Sequence, residues 1–439
     1  MNRFDEDVVV IGSGFGGSVS ALRLVEKGYR VRVLEAGRRF EDKDFARTSW
    51  NLRRYLWAPA LGCFGVQRIH RLPHVMILAG AGVGGGSLNF ANTLYEPGSP
   101  FFNDPQWREI ADWAAELAPH YATAKRMLGV VEQYPHTGPV ERMMQGAAED
   151  LGVGSTFRRA PVGVFLGTPG VRVPDPFFGG EGPERTGCTL CGNCMVGCRV
   201  GAKNTLMKNY LALAERRGAQ IDALRTVTRV RELPDGGFAV TSRRSGAWAR
   251  PDERTITASK VVLAAGTWGT QQLLHRMRAS GDLPRVSSSI GVLTRTNSEA
   301  LDGAVATSVP VSAELTRGVA ITTSFHVDER THVENVRYGP GSNLMGALAT
   351  VMVPGELSFA GRLGRLFGQV LRHPVRQFRL GSLRRWSDRG IIALVMQTAD
   401  NSLTLSLRRR FGRDVLTSAQ GHGEPNPAHL PQAHRAAQA

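Results

Sequence analysis

Two groups of residues in this sequence have the types and spacing that binding chemistry needs: a glycine pattern and a run of cysteines. Gly12, Gly14 and Gly17 form G-x-G-x-x-G directly after the apolar run 8–11. In such a loop the first glycine permits a tight turn and the second lets a diphosphate approach the backbone. The third lets a helix pack closely on the strand. The pattern therefore predicts a dinucleotide site.

A carboxylate and a second glycine run narrow the choice of dinucleotide. The apolar run 31–34 ends at Glu35, where a carboxylate can accept hydrogen bonds from ribose hydroxyls, so FAD or NAD is favoured over NADP. A second glycine run at 80–86 is typical of backbone that passes close to a flat ring or a diphosphate, and it favours FAD. The run and the polar residues after it include Gly82, Gly84, Gly86, Ser87, Asn89 and Asn92. A flexible surface loop is the alternative interpretation, which neighbouring apolar residues disfavour.

The four cysteines are Cys188, Cys191, Cys194 and Cys198, with the spacing C-x2-C-x2-C-x3-C. In bacterial ferredoxins three cysteines of such a run hold one iron–sulfur cluster and the fourth serves another cluster. Here a second run is missing, and Cys63 is the one remaining cysteine. The gap is also too short for two zinc knuckles. Two interpretations stay open: an iron–sulfur cluster, or structural or free thiols.

The elements that must position these residues follow from periodicity. We expect parallel strands at 8–11 and 31–34 around an amphipathic helix, and a returning strand at 261–264 before a glycine turn at Gly266 and a second helix. The segments 225–233, 237–242 and 253–256, separated by the turn sequences PDGG and RSGAWARPD, predict a β-meander. The expected class is α/β, a Rossmann-type FAD-binding domain with a β-meander, interleaved with an α+β substrate domain. We place the first at 1–100 and 188–300, and the second at 101–187 and 301–417. The Gly/Pro/Ala/Gln-rich tail 418–439 is expected to be disordered.

Composition sets the class of protein. The chain has 439 residues, 42% apolar and 21% charged, which is typical of a folded globular protein. It has no apolar run near about 18 residues and no signal-peptide pattern, so we expect a cytoplasmic location. A net charge of +16 is compatible with nucleic-acid binding. The charge is concentrated, however, since the segment 359–390 alone holds eight arginines against one acid. No nucleic-acid-binding motif accompanies it, so we expect no nucleic-acid partner.

The arginine-rich segment has helical periodicity. Leu363, Leu366, Phe367, Val370 and Leu371 repeat on one side, opposite three arginines and a glutamine. Pro374 ends this helix. A stripe of this kind usually faces a protein core. The alternative is peripheral docking on a membrane surface, with arginines at anionic lipid and the apolar side in the headgroup region.

The glycine loop with Glu35, the stretch GAGVGGGSLNFAN and the stretch VVLAAGTWGTQQLL resemble the glucose–methanol–choline (GMC) oxidoreductases. Within that superfamily the chain resembles the cholesterol-oxidase-like proteins of actinobacteria, over residues 7–430. The resemblance implies FAD and oxidation of an alcohol carbon by hydride transfer to the flavin. For the sterol members it implies 3β-hydroxysterol substrates and a following double-bond isomerisation.

The resemblance also implies positions for the cofactor. Phe15 and Gly16 would lie at the pyrophosphate, Glu35 at the adenosine ribose, and Val227 at the adenine through its backbone. Gly86, Asn89 and Thr93 would line the flavin. Many family members place an asparagine three residues after the serine, where this chain has Phe90 with asparagines at 89 and 92 instead. Asn89 and Asn92 are therefore both candidates for the flavin side.

No catalytic residue can be assigned by this resemblance. The family's last segment carries a histidine–asparagine pair for which the sequence offers no counterpart, because His422, His429 and His434 lie in the tail. His326, His332 and His373 match no motif. We therefore expect a sterol oxidoreductase with impaired turnover that lacks the family's C-terminal segment. An iron–sulfur flavoprotein that passes electrons to a partner and a non-catalytic FAD-binding remnant are the alternatives.

Overall fold

A computed structural model describes residues 3–247, 252–353, 355–410, 412–427 and 429–439. The helices of the described residues are α1 (Phe15–Val25), α2 (Leu52–Tyr55), α3 (Ser99–Phe102), α4 (Trp113–Met127), α5 (Pro139–Asp150), α6 (Tyr210–Arg216), α7 (Gly266–Ser280), α8 (Phe359–Arg372), α9 (Pro374–Gly381), α10 (Trp386–Arg389) and α11 (Pro431–Gln438).

The strands belong to two large sheets and four small hairpins. They are β1 (Glu6–Ile11), β2 (Val31–Leu34), β3 (Trp57–Ala58), β4 (Cys63–Phe64), β5 (Gln67–Arg71), β6 (Met76–Gly80), β7 (Arg158–Arg159), β8 (Arg172–Val173), β9 (Arg185–Thr186), β10 (Gln220–Asp222), β11 (Arg225–Glu232), β12 (Phe238–Arg244), β13 (Arg254–Leu263), β14 (Glu299–Val305), β15 (Thr323–Asp328), β16 (Thr331–Val336), β17 (Gly390–Gln397), β18 (Leu403–Arg410) and β19 (Arg413–Gln420).

The six-stranded sheet has the order β10-β2-β1-β13-β12-β11. Its first four strands pair in parallel, and β11, β12 and β13 form the antiparallel meander. The nearly continuous apolar sequence of β1 suits a strand covered on both faces: α1 and α6 pack on one side, and Leu273 and Met277 of α7 on the other. The predicted α/β class with a Rossmann unit and a meander is confirmed.

One element differs from the prediction. The two strands expected at 253–256 and 261–264 are a single strand, β13. Its first half pairs antiparallel with β12 and its second half pairs parallel with β1, so that Ala258 lies opposite both Phe238 and Glu6. One long strand thus joins the meander to the Rossmann unit. Most of the turn before it, residues 248–251, lies outside the described residues.

The five-stranded sheet has the order β14-β17-β16-β15-β7 and is antiparallel throughout. Alternate residues of its strands point to opposite faces. Phe325, Val333 and Val395 lie on the face that α5 and α11 cover. His326, His332 and Glu334 belong to the opposite face, because they occupy the alternate positions. The division of the chain into two domains at the predicted boundaries stays a prediction.

The tail was predicted wrongly. Residues 418–439 are not an irregular segment: β19 extends to Gln420 and pairs with β18, and α11 follows. Leu430, Ala433 and Ala436 are buried against the five-stranded sheet. Alanine adds little to an apolar count, yet at a spacing of three residues it lets a helix approach a sheet closely. Its low hydrophobicity therefore concealed a packing face.

The arginine-rich segment forms α8 and α9, with the break at Pro374 as predicted. The apolar side of these helices is exposed and does not face a core. Among the helices of the described residues, none combines the length and the apolar character needed to cross a membrane.

Candidate functional site

The glycine loop joins β1 to α1 at the carboxyl ends of β1 and β2. Gly12 has φ +100°, and a Cβ there would stand 2.3 Å from the carbonyl oxygen of Ala264. A Cβ at Gly17 would stand 2.0 Å from the carbonyl oxygen of Gly12. A side chain at either position would collide with backbone, so both glycines are needed for the turn and for close packing of α1.

Gly14 and Gly16 have the opposite surroundings, because a Cβ at either would meet no atom within 4 Å. Gly14 is the N-cap of α1 and Gly16 lies in its first turn. The first amides of a helix have no partner within the helix and carry a partial positive charge. The open space beside them therefore fits an anion such as a diphosphate.

The second glycine run lies directly against the first. A Cβ at Gly85 would stand 2.7 Å from the Cα of Gly14. Gly82 and Gly84 have φ of +134° and +103°, which only glycine adopts easily. At Gly86 a Cβ would again meet nothing within 4 Å. Gly14, Gly16 and Gly86 thus border an open cradle, and these residues fit the FAD that the sequence predicts.

The polar side chains of this run differ in whether their hydrogen-bonding atoms have partners within the protein. Ser87 Oγ donates to the Gly84 carbonyl at 2.6 Å and accepts from the Leu206 amide at 3.0 Å, and Asn89 Nδ2 donates to Gln67 Oε1 at 2.9 Å. Thr93 Oγ1 donates to the Pro161 carbonyl at 3.3 Å. Asn92 is different: it is buried with φ 74°, and both of its amide atoms lack a hydrogen-bond partner of normal geometry. The Asn92 side chain nevertheless interacts with the Cys194 thiol, so it is directed toward the cysteine loop.

Glu35 is buried at the end of β2 and holds the glycine loop. Its Oε2 accepts from the amide and the hydroxyl of Ser13 at 3.0 and 2.7 Å, and its Oε1 accepts from the Gly37 amide at 2.8 Å. A carboxylate offers about four acceptor positions, so capacity remains for a ribose hydroxyl. The structure adds a role that the motif alone did not suggest: Glu35 also fixes the loop.

Three further predicted positions lie around these runs. Phe15 is half-exposed, and its ring meets that of Phe90 edge to face at 5.8 Å. Val227 lies in β11 opposite Ser242, immediately before an irregularity in the pairing. Gly266 begins α7 with φ +70°, and a Cβ there would meet no atom within 4 Å. Gly266 is thus open in the same way as Gly86.

The four cysteines of the run are not grouped as a metal site in the part of the chain that the structure describes. Among the residues that the structure describes, no group of three or more histidine, cysteine or acidic side chains is placed to hold a metal ion. Cys191 is exposed, whereas burial raises the pKa of the Cys194 thiol to about 11 and that of Cys188 still further. Cys188 Sγ accepts from the Leu190 amide at 3.4 Å. Of the two interpretations of the cysteine run, the iron–sulfur cluster gains no support.

A lysine that the sequence analysis missed joins the cysteine loop to the second glycine run. Lys203 is buried, and its ammonium donates to the carbonyls of Leu88, Phe90 and Cys194 at 3.1, 2.6 and 2.9 Å. Burial lowers the pKa of Lys203 to about 8. The local sequence GAKNTL contains asparagine and threonine as well as the lysine, so it carried no signal for a buried ammonium. These three bonds fix the end of the run that leads to Asn92.

The same run continues to Tyr95, which touches the five-stranded sheet. The Tyr95 hydroxyl donates to Ser324 Oγ at 2.7 Å, and its ring meets that of His332 edge to face at 5.1 Å. His332 stacks on His326 at 4.7 Å, and its Nδ1 lies 3.8 Å from Glu334 Oε1. Tyr95 thus connects the chain segment that follows the cradle to the polar face of the five-stranded sheet.

The ionisable groups on this face have strongly shifted pKa values. Burial lowers the pKa of His332 to about 4, so this imidazole is neutral at neutral pH. Burial, together with the charge of Glu299, raises the pKa of Glu334 to about 8. Titratable groups with displaced pKa values at a shared site are typical of proton transfer. No motif in the sequence pointed to Glu334 or Tyr95.

The raised pKa of Glu334 predicts a pH-dependent stability. Its ordinary pKa is near 4.5, so the folded protein retains a proton that the unfolded chain releases between pH 4.5 and about 8. The free energy of unfolding therefore falls as the pH rises through this window. Glu334→Gln cannot ionise. Its stability relative to the wild type should therefore rise between pH 5 and pH 9, by more than about 1 kcal/mol. Urea unfolding at both pH values measures this, with exposed Glu116→Gln as the matched control.

Alanine substitutions at Gly86 and at Gly12 should have different effects, because only Gly86 borders the open cradle. Gly86→Ala should leave the free energy of unfolding of the apoprotein within about 1 kcal/mol. It should raise the dissociation constant of FAD at least tenfold, because the methyl group enters the open space. Gly12→Ala should instead destabilise the apoprotein, since its methyl group collides with Ala264. Unchanged FAD affinity in Gly86→Ala would show that the cradle is not the cofactor site.

Comparisons with known proteins show what the chain is similar to. The GMC oxidoreductase family pattern matches residues 183–285, and a pattern for an NAD(P)-binding Rossmann-like domain matches residues 10–40. Cholesterol oxidase of Mycobacterium tuberculosis is 56% identical over 97% of this chain and 75% of its own length. Cholesterol oxidase of Acinetobacter baumannii is 41% identical over 99% of this chain and 79% of its own. The crystal structure of pyridoxine 4-oxidase from Mesorbium loti superposes with a TM-score of 0.51 at 16% identity, covering 99% of this chain and 79% of that one.

Proposed function

Because this chain belongs to the GMC oxidoreductase family, whose enzymes oxidise alcohols with FAD, we propose that its substrate is a 3β-hydroxysterol. The observation that carries this substrate class is the similarity of nearly the whole chain to two cholesterol oxidases. The FAD-binding part comprises residues 1–100 and 188–300 in this proposal. The substrate part comprises 101–187 and 301–417, which contain the five-stranded sheet except for the start of β14.

In this proposal different residues of the chain bind different parts of FAD. Gly12, Gly14, Phe15, Gly16 and Gly17 receive the diphosphate at the N-terminus of α1, and Glu35 receives the ribose. Val227 meets the adenine. The residues proposed to surround the flavin are Gly82, Gly84, Gly86, Ser87, Asn89, Asn92, Thr93 and Gly266. When bound, FAD accepts the hydride that leaves the alcohol carbon.

We further propose that Glu334 moves the proton that follows oxidation. Oxidising a 3-hydroxyl beside a 5,6 double bond gives a ketone whose double bond is not conjugated. Conjugation requires removal of a proton from C4 and delivery of a proton to C6, with no net change in oxidation state. A carboxyl group with a pKa near the working pH can do both. Glu334 meets that requirement, and neutral His332 with Tyr95 borders it.

The test of the substrate class is anaerobic reduction of the bound cofactor. The full chain loaded with FAD is mixed with cholesterol in the absence of oxygen, and the visible flavin absorbance is followed. We expect cholesterol to bleach the flavin and the 3α-hydroxy epimer to leave it unchanged at the same concentration. Bleaching by a simple primary alcohol but not by cholesterol would overturn the sterol assignment and retain the alcohol oxidoreductase.

A further inference from the structure

Helices α8 and α9 present their apolar side to solvent. Leu363, Phe367 and Leu371 follow one another at four-residue spacing, and their exposed fractions are 51%, 65% and 67%. On α9, Val375 and Phe378 are 64% and 80% exposed. Soluble proteins rarely leave so many large apolar side chains together on a surface. This surface, the α8–α9 apolar face, therefore needs an occupant.

The other side of the two helices is polar and borders a space between them. Arg365, Gln369 and Arg372 of α8 and Arg376 and Gln377 of α9 line a cavity of about 580 Å³. Polar atoms of Arg362, Gln369 and Gln377 are buried without a hydrogen-bond partner. Neither helix thus has the usual packing of an amphipathic helix, whose apolar side faces the core.

The charge of the segment indicates what the occupant is. Among the residues that the structure describes, Arg362, Arg365, Arg372, Arg376 and Arg379 form no ion pair with a carboxylate. The segment's single acid, Asp388, pairs with Arg385 at 3.5 Å. An apolar protein partner or a second copy of this chain would bring no excess of negative charge to these guanidinium groups. An anionic lipid surface supplies both an apolar phase and phosphate groups.

We propose that the α8–α9 apolar face docks on a membrane rich in anionic lipid. The apolar side chains enter the boundary between headgroups and acyl chains, and the arginines remain at the level of the phosphates. A lipid phosphate at the arginine-lined cavity would meet the unpaired polar atoms there. This inference goes beyond the proposed function and does not depend on it, since it concerns binding alone.

The experiment is vesicle co-sedimentation of the full chain. Neutral phosphatidylcholine vesicles are compared with vesicles that also contain phosphatidylglycerol, at low and at high sodium chloride concentration. We expect binding to the mixed vesicles at least tenfold stronger than to neutral ones, and weaker as salt rises because screening reduces the attraction. Equal binding to both kinds of vesicle, or binding that salt does not change, would overturn the proposal.

Substitutions separate the contribution of the apolar side chains to vesicle binding from that of the arginines. The double variant Phe367→Ser/Leu371→Ser should lose at least tenfold in affinity for the mixed vesicles, while Leu61→Ser, at an equally exposed apolar residue, should bind like the wild type. Arg365→Gln/Arg376→Gln should reduce both affinity and salt dependence, with exposed Arg285→Gln and Arg317→Gln together as the charge-matched control. All of these side chains are exposed, so circular dichroism should show unchanged folding.

One further outcome would assign the surface differently. If the wild-type protein forms dimers that the Phe367→Ser/Leu371→Ser variant abolishes, and vesicles do not compete with them, the α8–α9 apolar face is an interface between copies of this chain. The lipid proposal would then be wrong. Sedimentation velocity with and without vesicles distinguishes the two results.

Discussion

Glu334→Gln is expected to slow the conversion of an unconjugated 3-keto-5-ene steroid to its conjugated isomer by roughly 10²–10⁴-fold, the usual contribution of a positioned general acid–base group. Glutamine preserves the shape of the side chain but cannot accept a proton from C4. The wild-type rate should rise with pH up to about 8, because the carboxylate is the form that removes the proton. The measurement is the growth of the ultraviolet absorbance of the conjugated ketone.

Supplying the unconjugated ketone directly makes this test independent of oxidation. The step needs no hydride transfer, so it can be followed with or without bound FAD. Glu299→Gln is the matched control: it removes the neighbouring charge that helps to raise the pKa of Glu334, so the pH profile should move to lower pH while the maximal rate is largely kept. An unchanged rate in Glu334→Gln would show that another group transfers the proton.

Glu35→Ala is expected to raise the dissociation constant of FAD by roughly 10- to 100-fold. The carboxylate holds Ser13 and Gly37 in place and retains capacity for a ribose hydroxyl. A hydrogen bond to a charged group contributes about 1.5–3 kcal/mol, so losing the one bond to the ribose hydroxyl would weaken FAD binding by roughly 10- to 100-fold. Quenching of FAD fluorescence on binding measures the constant. Affinity equal to that of the wild type would show that Glu35 does not bind the ribose.

The control for this second prediction separates binding from loop stability. Glu181→Ala removes an exposed carboxylate in a surface ion pair and should leave FAD affinity unchanged. Glu35→Gln keeps one carbonyl oxygen as an acceptor, so its affinity should lie between the wild type and Glu35→Ala. If Glu35→Gln and Glu35→Ala both unfold without FAD while Glu181→Ala does not, the dominant role of Glu35 is to hold the glycine loop.

The sequence by itself determined the Rossmann unit. The positions of β1, α1 and β2, the glycine loop between them and the carboxylate at the end of β2 follow from local patterns of glycine and apolar residues. The meander also follows from such local patterns, except that the single strand β13 pairs with both β12 and β1. Such patterns are readable because each involves residues within about twenty positions of one another. Charge and periodicity also revealed that the 362–372 segment is amphipathic.

Tertiary structure alone decided that the apolar side of that helix is exposed and what surrounds the cradle. Tyr95 meets Ser324 across 229 residues of sequence, and Lys203 meets Leu88 across 115. The pKa of Glu334 depends on burial and on Glu299, which lies on a different strand of the same sheet. The cysteine run showed the reverse, since regular spacing did not bring its thiols together as a metal site among the described residues. Desolvation and long-range contact arise only when distant segments pack, and neither leaves a local pattern in the sequence.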